Sequence, residues 1–243
     1  MPRHILITGA STGLGAAMAA VLAPGNKIIV HYNTSEEKAK TTAKKVETAT
    51  GVPFLAKADL SSEAGCQRLF EQVAARFDKL DLLVNNAGSL VKRQHVHEIE
   101  WQNMVQTFSL NVFSVIKLTS LCLPLLEKGS DPCIINITSI AQRHGAPSAT
   151  LYGAAKAAID SFTRGLAKEV APKIRVNSVA PGVILTPFHE KFSDAQRMEN
   201  FREATPLKRN GEPEHIAHTV KFLMENDFIT GESIDVNGGL FMR

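Results

Sequence analysis

Short apolar runs alternate with segments of helical spacing along the whole chain. Strands separated by helices of about ten or more residues pair in parallel through right-handed crossovers. The pattern therefore predicts an α/β fold: a doubly wound, seven-stranded parallel sheet with helices on both faces. The predicted strands are residues 3–8, 27–32, 52–58, 80–84, 133–138, 174–179 and 233–236. The predicted helices are residues 16–22, 35–48, 62–77, 99–126 (with room for a break in its middle), 150–170 and 214–225.

The chain of 243 residues, with 44% hydrophobic positions, is long enough to cover a sizeable core. We expect a single domain over residues 1–243. Residues 183–206 carry no strong period and predict a mobile lid over a substrate. Thr34, with Glu37 three residues later, predicts a capping box at the start of the second helix.

Charge and composition exclude several classes of protein. The 27 basic and 24 acidic residues give a net charge of +3 without a basic block, which speaks against a nucleic-acid surface. We find no apolar run long enough for a membrane span and no signal-peptide pattern, and so expect a cytoplasmic protein. Cys66, Cys122 and Cys133 are far apart and odd in number, which is typical of reduced, buried thiols. The histidines show no metal spacing, so no metal is expected.

Candidate chemistry lies in a serine, a tyrosine and a lysine. Ser139 ends the fifth predicted strand, and Tyr152 and Lys156 lie four apart on one helical face. Acid–base chemistry near neutral pH requires a pKa near 7, about 3 units below that of free tyrosine. An ammonium at about 4 Å supplies the required ~4 kcal/mol at an effective dielectric of about 20. We therefore predict that Lys156 lowers the pKa of Tyr152, although a bare Y-x-x-x-K also suits a core tyrosine and a solvated lysine.

A glycine-rich turn follows the first strand and opens the first helix. Gly9, Gly13 and Gly15 leave room for a pyrophosphate to approach backbone amides and the positive helix end. The spacing G-x-x-x-G-x-G differs from the common G-x-G-x-x-G, and a glycine turn alone is a weak signal. In such a sheet, ligands lie at the carboxyl ends of the strands. We expect four segments that directly follow strands to line one crevice: the glycine turn, residues 85–88, Ser139 and residues 181–182.

Five motifs in order resemble the short, single-domain branch of the short-chain dehydrogenase/reductase family, over nearly the whole chain. The closing segment, residues 230–239, is similar to the branch that includes 3-oxoacyl-acyl-carrier-protein reductases, and sugar and polyol dehydrogenases share it. The family's extended branch of isomerases and dehydratases differs in glycine spacing and has a longer carboxyl-terminal domain. The motifs are Thr8-Gly9-Ala10-Ser11-Thr12-Gly13-Leu14-Gly15, Asn85-Asn86-Ala87-Gly88, Asn111, Ser139 with Tyr152-Gly-Ala-Ala-Lys156, and Pro181-Gly182.

The resemblance implies a Rossmann-type fold and NAD(P)(H)-dependent interconversion of a ketone and a secondary alcohol. It implies Tyr152 as general acid or base, Ser139 positioning the carbonyl, and Lys156 bonding the nicotinamide ribose as well. Asn111 would hold a water that passes protons to Lys156, although a residue that caps or breaks the long helix fits the same position. Asp59 would accept from the adenine amino group, although a turn acid fits there too. The implied cofactor-binding residues are Gly9, Ser11, Thr12, Gly13, Leu14, Gly15, Tyr32, Asn33, Thr34, Asp59, Leu60, Asn86, Ala87, Gly88, Tyr152, Lys156, Pro181, Gly182 and Thr186.

The choice of nicotinamide depends on the end of the second strand. An acid there favours NAD, whereas a basic or hydroxyl-rich pocket accepts the 2′-phosphate of NADP. Tyr32 occupies the place where the acid is expected, and Glu36 and Glu37 are explained by the helix start. NADP(H) is therefore favoured. NAD(H) stays open, because Thr12 stands where many NADP-using relatives carry an arginine or lysine.

The leading interpretation is an NADPH-dependent reductase of 3-oxoacyl thioesters or a similar ketone. The alternative is a sugar or polyol dehydrogenase, and a non-catalytic dinucleotide-binding protein is less favoured because all four catalytic positions are filled. Family resemblance also implies a homotetramer, with helices at about residues 103–126 and 150–170 between subunits. An acyl-carrier-protein partner requires a basic rim, for which the candidates are Arg93, Arg143, Lys191 and Arg197. Candidate pocket residues are Gln142, His144, Pro147, Leu185, Thr186, Phe188 and Phe192.

Overall fold

The computed structural model describes residues 1–242 and contains a seven-stranded parallel sheet. Its strands are β1 (His4–Ile7), β2 (Lys27–Tyr32), β3 (Val52–Lys57), β4 (Leu82–Asn85), β5 (Cys133–Ile137), β6 (Arg175–Pro181) and β7 (Ser233–Val236). Their order across the sheet is β3-β2-β1-β4-β5-β6-β7, with parallel pairing throughout. The strand order reverses between β1 and β4, where a crevice opens in folds of this kind. The predicted fold class is confirmed.

Helices cover both faces of the sheet. One face is packed by α1 (Gly13–Val21), α2 (Glu36–Thr48) and α10 (Pro213–Glu225). The other face is packed by α3 (Glu63–Ala74), α5 (Ser114–Leu126) and α7 (Thr150–Val170). The remaining helices are α4 (Trp101–Phe108), the short α6 (Ala141–His144), α8 (Pro187–Phe192) and α9 (Ala195–Ala204). The central strands are buried on both faces, so their sequences are continuous apolar runs instead of alternating ones.

The predicted break in the long helix exists and is a π-helical turn. Ser109–Phe113 joins α4 to α5 in this geometry, and Asn111 lies within it, fully buried. The Asn111 amide nitrogen donates to the main-chain oxygens of Ser89 and Thr107, both at 2.8 Å. Single π-helical turns inside α-helices are frequent at functional sites, because they redirect a side chain towards the interior.

The expectation about membrane-spanning segments needs a correction. Trp101–Leu126 is long and apolar enough to cross a bilayer by length and composition alone. Half of its most apolar window is buried inside the fold, and its inner face contributes Leu118 and Cys122 to the core against the sheet. We therefore assign this segment to the core of the domain.

Residues 183–206 are more regular than their sequence predicts. They contain α8 and α9, and neither helix has a buried residue, which explains why no apolar stripe was visible. Pro187 occupies the first position of α8, where its missing N–H costs nothing. The Asp194 carboxylate caps α9 by accepting from the Arg197 main-chain nitrogen at 2.7 Å.

The predicted capping box at α2 is wrong. Ser35, not Thr34, is the residue before the helix, and its side chain makes no capping hydrogen bond. The helix begins at Glu36, so Glu37 is its second residue and cannot reach back as a third residue would. Glu37 instead accepts a hydrogen bond from Lys40 at 2.8 Å.

Candidate active site

A cavity of about 850 Å³ opens at the carboxyl ends of the central strands. Its volume is in the range of sites for cofactors and small ligands. Gly15 and Asn111 are the two predicted site residues that do not line it, and both lie directly behind its wall. The predicted residues that line the cavity are Gly9, Ser11, Thr12, Gly13, Leu14, Tyr32, Asn33, Thr34, Asp59, Leu60, Asn86, Ala87, Gly88, Ser139, Tyr152, Lys156, Pro181, Gly182 and Thr186.

The glycine turn depends on the absence of side chains. Gly9 and Gly13 have φ values of +63° and +54°, in the left-handed region that favours glycine. A Cβ on Gly15 would lie 2.4 Å from the Gly9 oxygen, so only glycine allows α1 to start this close to the turn. The first turn of α1 contains no acidic residue, and Thr12 makes no side-chain cap. The turn can therefore accept a phosphate against unused amides and the positive helix end.

His31 holds the glycine turn in place, a role that the sequence did not reveal. Its Nδ1 accepts a hydrogen bond from the Gly9 main-chain nitrogen at 2.9 Å, so the proton is on Nε2, which lies 3.1 Å from the Ala58 oxygen. Burial lowers the pKa of His31 to about 4, which keeps the ring neutral. The only available signal was a polar residue near the end of a buried strand, next to a glycine turn.

The ends of β1 and β4 are tied together beside the turn. Thr8 Oγ1 accepts hydrogen bonds from the main-chain nitrogens of Asn86 and Ala87, both at 2.9 Å. The Asn86 side chain donates to the oxygens of Thr8 and Gly9 at 2.8 and 3.1 Å. These bonds fix the width of the crevice at the point where strand order reverses.

Ser139, Tyr152 and Lys156 meet at the base of the cavity. Ser139 follows β5, and its side chain hydrogen-bonds that of Tyr152 on α7. Lys156 Nζ lies 5.6 Å from the centre of the Tyr152 ring and donates to the Ile137 oxygen at 2.9 Å. Four-residue spacing on α7 therefore directs both side chains to one place, as the sequence predicts.

In this arrangement burial has the largest effect on the pKa of Tyr152, and the expected lowering by Lys156 stays a prediction. Burial raises the pKa of Tyr152 to about 12, and the hydrogen bond from Ser139 opposes this only in part. Burial also lowers the pKa of Lys156 to about 8. Removal from water is therefore the largest influence on the pKa of each group. At neutral pH the phenol carries its proton.

Asn111 lies next to this group without reaching the cavity. A Cβ on Gly88 would lie 2.7 Å from Asn111 Oδ1 and 3.2 Å from Lys156 Nζ, so both side chains approach the same glycine. Asn111 Oδ1 accepts from the Ser89 nitrogen at 3.2 Å. The position beside the lysine suits a proton path, and the predicted water-holding role stays a prediction.

The end of β2 carries no acid towards the cavity. Tyr32 is buried, and its side chain hydrogen-bonds that of Glu36, which also pairs with Lys40 at 3.2 Å. Asn33 and Thr34 are exposed at the cavity edge. Asp59 lines the cavity and also forms a turn, since its Oδ1 accepts from the Ser61 nitrogen and hydroxyl at 3.0 and 2.7 Å. These bonds hold the pKa of Asp59 below its usual value.

The lid supplies an aromatic wall opposite Ser139. The Phe188 ring lies 5.9 Å from that of Tyr152, and His144, Pro147 and Thr186 also line the cavity as predicted. Cavity residues that the sequence analysis did not select include His189, Asn200, Phe201, Ala204 and Leu240. They sit on short, exposed elements without a recognisable pattern.

Three predicted pocket residues lie elsewhere. Leu185 is exposed on the outer side of the lid, the Gln142 side chain is turned into the protein, and the Phe192 ring packs behind Phe188 at 5.1 Å. The predicted basic rim is incomplete as well. Arg143 pairs with Asp235, and its guanidinium also lies near Asp160, so it is not available at the cavity mouth.

Comparisons with known proteins agree with this geometry. A family model described as enoyl-(acyl carrier protein) reductase matches residues 9–241. The chain belongs to the short-chain dehydrogenase/reductase family. It is similar to the 3-oxoacyl-[acyl-carrier-protein] reductase FabG of Staphylococcus epidermidis, at 34% identity over 100% of both chains.

Two solved structures extend the likeness. A short-chain dehydrogenase/reductase of Brucella melitensis, described as a glucose/ribitol dehydrogenase, has a TM-score of 0.91 at 34% identity and covers 99% of this chain and 97% of its own. The angucycline C-6 ketoreductase LanV with bound NADP has a TM-score of 0.90 at 29% identity, with 98% and 95% covered. The chain is therefore an oxidoreductase of this family.

The residues of this short-chain dehydrogenase/reductase fit the NAD(P) cofactor that the family binds. The glycine turn is shaped for a pyrophosphate, and a Cβ on Gly13 would come within 3.5 Å of Thr186, so turn and lid close around the same space. Lys156 and Tyr152 lie at the far end of the same cavity. Within residues 1–242 there is no group of three or more potential metal-binding side chains.

Proposed function

We propose that the protein is an NADPH-dependent reductase that converts a ketone of the 3-oxoacyl-thioester type to a secondary alcohol. The observation that carries the proposal is the meeting of Tyr152, Ser139 and Lys156 in one cavity that begins at a phosphate-accepting turn, with burial raising the pKa of the phenol. A group that holds its proton at neutral pH can act as the acid that reduction requires. The bound nicotinamide supplies the hydride.

Each residue has a defined task in this proposal. Ser139 donates a hydrogen bond to the substrate carbonyl and fixes its position beside Tyr152. Tyr152 gives its phenolic proton to the carbonyl oxygen as negative charge develops there. The Lys156 ammonium stabilises the phenolate left behind and bonds the nicotinamide ribose. Asn111 supports the return of a proton to Lys156 through a water.

The raised pKa of Tyr152 predicts different pH profiles for ketone reduction and alcohol oxidation. Oxidation of an alcohol requires the phenolate as base, which is scarce at neutral pH because burial raises the pKa of Tyr152 to about 12. We expect alcohol oxidation to rise with pH well above neutrality, while ketone reduction is active at neutral pH. Initial rates in both directions from pH 6 to about 10 test this; equal pH profiles would contradict it.

NADP(H) is the proposed cofactor. Asn33 and Thr34 present neutral polar side chains where an NAD-selective protein carries an acid. The nearby Glu36 carboxylate is already paired with the Tyr32 hydroxyl and with Lys40. The NADP-bound ketoreductase LanV supports the same choice. Asn33→Asp should shift the preference towards NADH by about tenfold or more, because a carboxylate repels a 2′-phosphate. KM values for NADPH and NADH, determined for the wild-type protein and for Asn33→Asp, measure this shift.

The thioester assignment is supported by the full-length similarity to FabG and by the aromatic lid around Phe188 and Phe201. A sugar or polyol dehydrogenase is the second candidate. Arg93, Arg197 and Asn200 make the outer end of the cavity polar, and the related structure from Brucella melitensis is described as a glucose/ribitol dehydrogenase.

One assay separates the two candidates. Purified protein is mixed with NADPH or NADH and with acetoacetyl thioesters, sugars or quinones. Polyols are tested in the reverse direction, with NADP+ or NAD+. We expect NADPH oxidation with the acyl thioester. Turnover confined to sugars or polyols would replace the proposal by the second candidate, and cofactor binding without any turnover would favour a non-catalytic protein.

We also propose a cytoplasmic homotetramer. Trp101, Val105, Phe113 and Ile116 are exposed apolar side chains on the α4–α5 segment, and α7 packs next to it. An apolar surface of this kind suits a subunit interface. Light scattering should give a tetrameric mass, and Phe113→Asp should lower it; a monomeric wild-type protein would contradict the proposal.

A further inference from the structure

Two arginines face the outer end of the cavity without an acidic partner. Arg93, in the loop after β4, and Arg197, in the first turn of α9, both line the cavity. Within residues 1–242 neither forms a salt bridge, whereas Arg143, Arg164 and Arg202 each pair with a carboxylate. The two unpaired guanidiniums therefore form a positively charged end of the pocket.

Arg93 is held in place by groups that leave its charge unneutralised. Its Nε donates to the Phe192 oxygen at 2.7 Å, and one terminal nitrogen lies 3.4 Å from Ser148 Oγ. Burial and the charge of Arg197 lower the pKa of Arg93. Burial and the charge of Arg93 lower the pKa of His189 to about 4, so the histidine stays neutral beside them. Two like charges brought together in a partly buried site are costly unless an anion joins them.

This site is separate from the turn that accepts the cofactor phosphates. The turn touches the beginning of α8, since a Cβ on Gly13 would lie 3.5 Å from Thr186 and 3.7 Å from Pro187. Arg93 binds the last residue of α8, Phe192. The helix has six residues, which at about 1.5 Å per residue separates the two positions by about 9 Å. The arginines therefore lie away from the position of a phosphate bound at the turn.

The arginine pair is one aromatic layer away from the proton donor. Phe188 lies 5.9 Å from Tyr152 and 5.3 Å from His189, ring centre to ring centre, and His189 is the residue that feels the charge of Arg93. A molecule with its carbonyl at Tyr152 can thus place its other end at the arginines. The guanidinium group matches the geometry of carboxylate and phosphate oxygens.

We propose that Arg93 and Arg197 bind an oxyanion, a carboxylate or a phosphate, that the ketone substrate carries at the end remote from its carbonyl. The inference rests on the proposed ketone reduction and narrows its substrate to anionic ketones. Arg93 is positioned by main-chain and hydroxyl contacts, and Arg197 approaches from the lid. Anion binding therefore also holds α9 against the body of the protein.

Binding of matched probes tests the inference without any need for turnover. Isothermal titration compares 5-oxohexanoate with the neutral 5-oxohexanamide, and hydroxyacetone phosphate with hydroxyacetone, on wild-type protein mixed with NADP. We expect each anion to bind at least about tenfold more tightly than its neutral counterpart, and the preference to weaken as salt is raised. The anion that gains more affinity over its neutral counterpart identifies the natural group as a carboxylate or a phosphate.

Three variants locate the effect. Arg197→Gln should abolish the preference for the anion. Within residues 1–242 the Arg197 guanidinium makes no hydrogen bond, so the substitution removes none. Arg93→Gln should act in the same direction. Lys191→Gln is the matched control, because Lys191 lies on α8 but outside the cavity, over the Phe192 ring at 5.1 Å, and it should retain the preference.

Equal binding of charged and neutral probes, no binding of either anion, or a preference that survives both arginine variants would overturn the inference. Failure of the proposed function gives a different result. If no ketone is reduced while the anions still bind through Arg93 and Arg197, the anion site stands and ketone reduction is wrong. If neutral ketones are reduced as well as anionic ones, reduction stands and the anion site is wrong.

Discussion

The two walls of the cavity are built in different ways. The inner wall consists of strand ends and α7, where Lys156 is 4% exposed, and the fully buried Asn111 lies directly behind it. Its polar groups bind main-chain atoms, such as Lys156 on Ile137 and Asn111 on Ser89. The outer wall consists of α8 and α9, which contain no buried residue.

The difference separates chemistry from selectivity. In the function that we propose, proton transfer depends on side chains of the inner wall, whose positions are fixed by strand ends, by α7 and by hydrogen bonds to the main chain. Substrate choice would then depend on Phe188, His189, Arg93 and Arg197, which meet across short helices and a loop. Changes on the inner wall should alter the rate or the stability strongly, whereas changes on the outer wall should alter substrate preference at little cost in stability.

The largest expected effect comes from Lys156→Met. The variant fills the same space but removes the ammonium that stabilises the phenolate, so we expect ketone reduction to fall by about 10²- to 10⁴-fold. Stability should be unchanged or higher, because the burial of an ammonium is costly. Turnover and thermal melting of the same samples measure both effects. A large loss of stability would show that the lysine is chiefly structural.

Acid sensitivity tests the inner wall through His31. Its pKa of about 4 in the folded protein lies below the ordinary 6.5, so the unfolded chain binds the extra proton first as pH falls. The neutral His31 ring therefore contributes fully to stability above pH 6.5. As the pH falls from 6.5 to 4 this contribution disappears, which lowers the free energy of unfolding by about 3 kcal/mol. Urea unfolding across this range measures it.

Two glutamine variants divide that pH dependence between the walls. His31→Gln keeps an acceptor for Gly9 and a donor for Ala58 but cannot titrate, so the part of the slope that His31 contributes should disappear. His189→Gln should remove a comparable part, because the pKa of His189 is lowered to a similar value. An unchanged slope in His31→Gln would contradict the assignment.

A smaller effect is expected from Gly15→Ala. The added methyl would lie 2.4 Å from the Gly9 oxygen and 2.8 Å from the Ala10 Cα, where only backbone is available to move. We expect a loss of about 1–3 kcal/mol in stability and weaker cofactor binding. Gly165→Ala is the control, since no atom lies within 4 Å of its added Cβ and it is exposed on α7. It should stabilise the protein by about 0.5–1 kcal/mol.

The smallest effect on stability is expected on the lid. Phe188→Leu keeps an apolar side chain at a half-exposed position, so the free energy of unfolding should change by less than about 1 kcal/mol. The substrate KM should change several-fold, since the ring lies against Tyr152. If the melting temperature of Phe188→Leu fell as far as that of Gly15→Ala, the outer wall would be as important for stability as the inner wall, which would contradict the comparison.

The fold and the inner wall could be predicted because both leave a local pattern. Buried parallel strands are continuous apolar runs, and Tyr152 and Lys156 are brought together by helix geometry alone. The pKa of Tyr152 could not be predicted, because burial depends on side chains from distant parts of the chain such as Phe188. The role of His31 was missed, and Arg197 was assigned to a basic rim for an acyl-carrier protein, for a similar reason. Their partners, Gly9 and Arg93, are defined only by the fold.

The central claim is that Tyr152 delivers the proton, and Tyr152→Phe tests it most directly. The phenylalanine keeps the ring in place and removes only the hydroxyl. The rate of NADPH oxidation with the best ketone substrate is measured together with the dissociation constant for NADPH. We predict a rate lower by about 10²-fold or more with the dissociation constant nearly unchanged. Turnover equal to that of the wild-type protein, with the cofactor bound as before, would contradict the account.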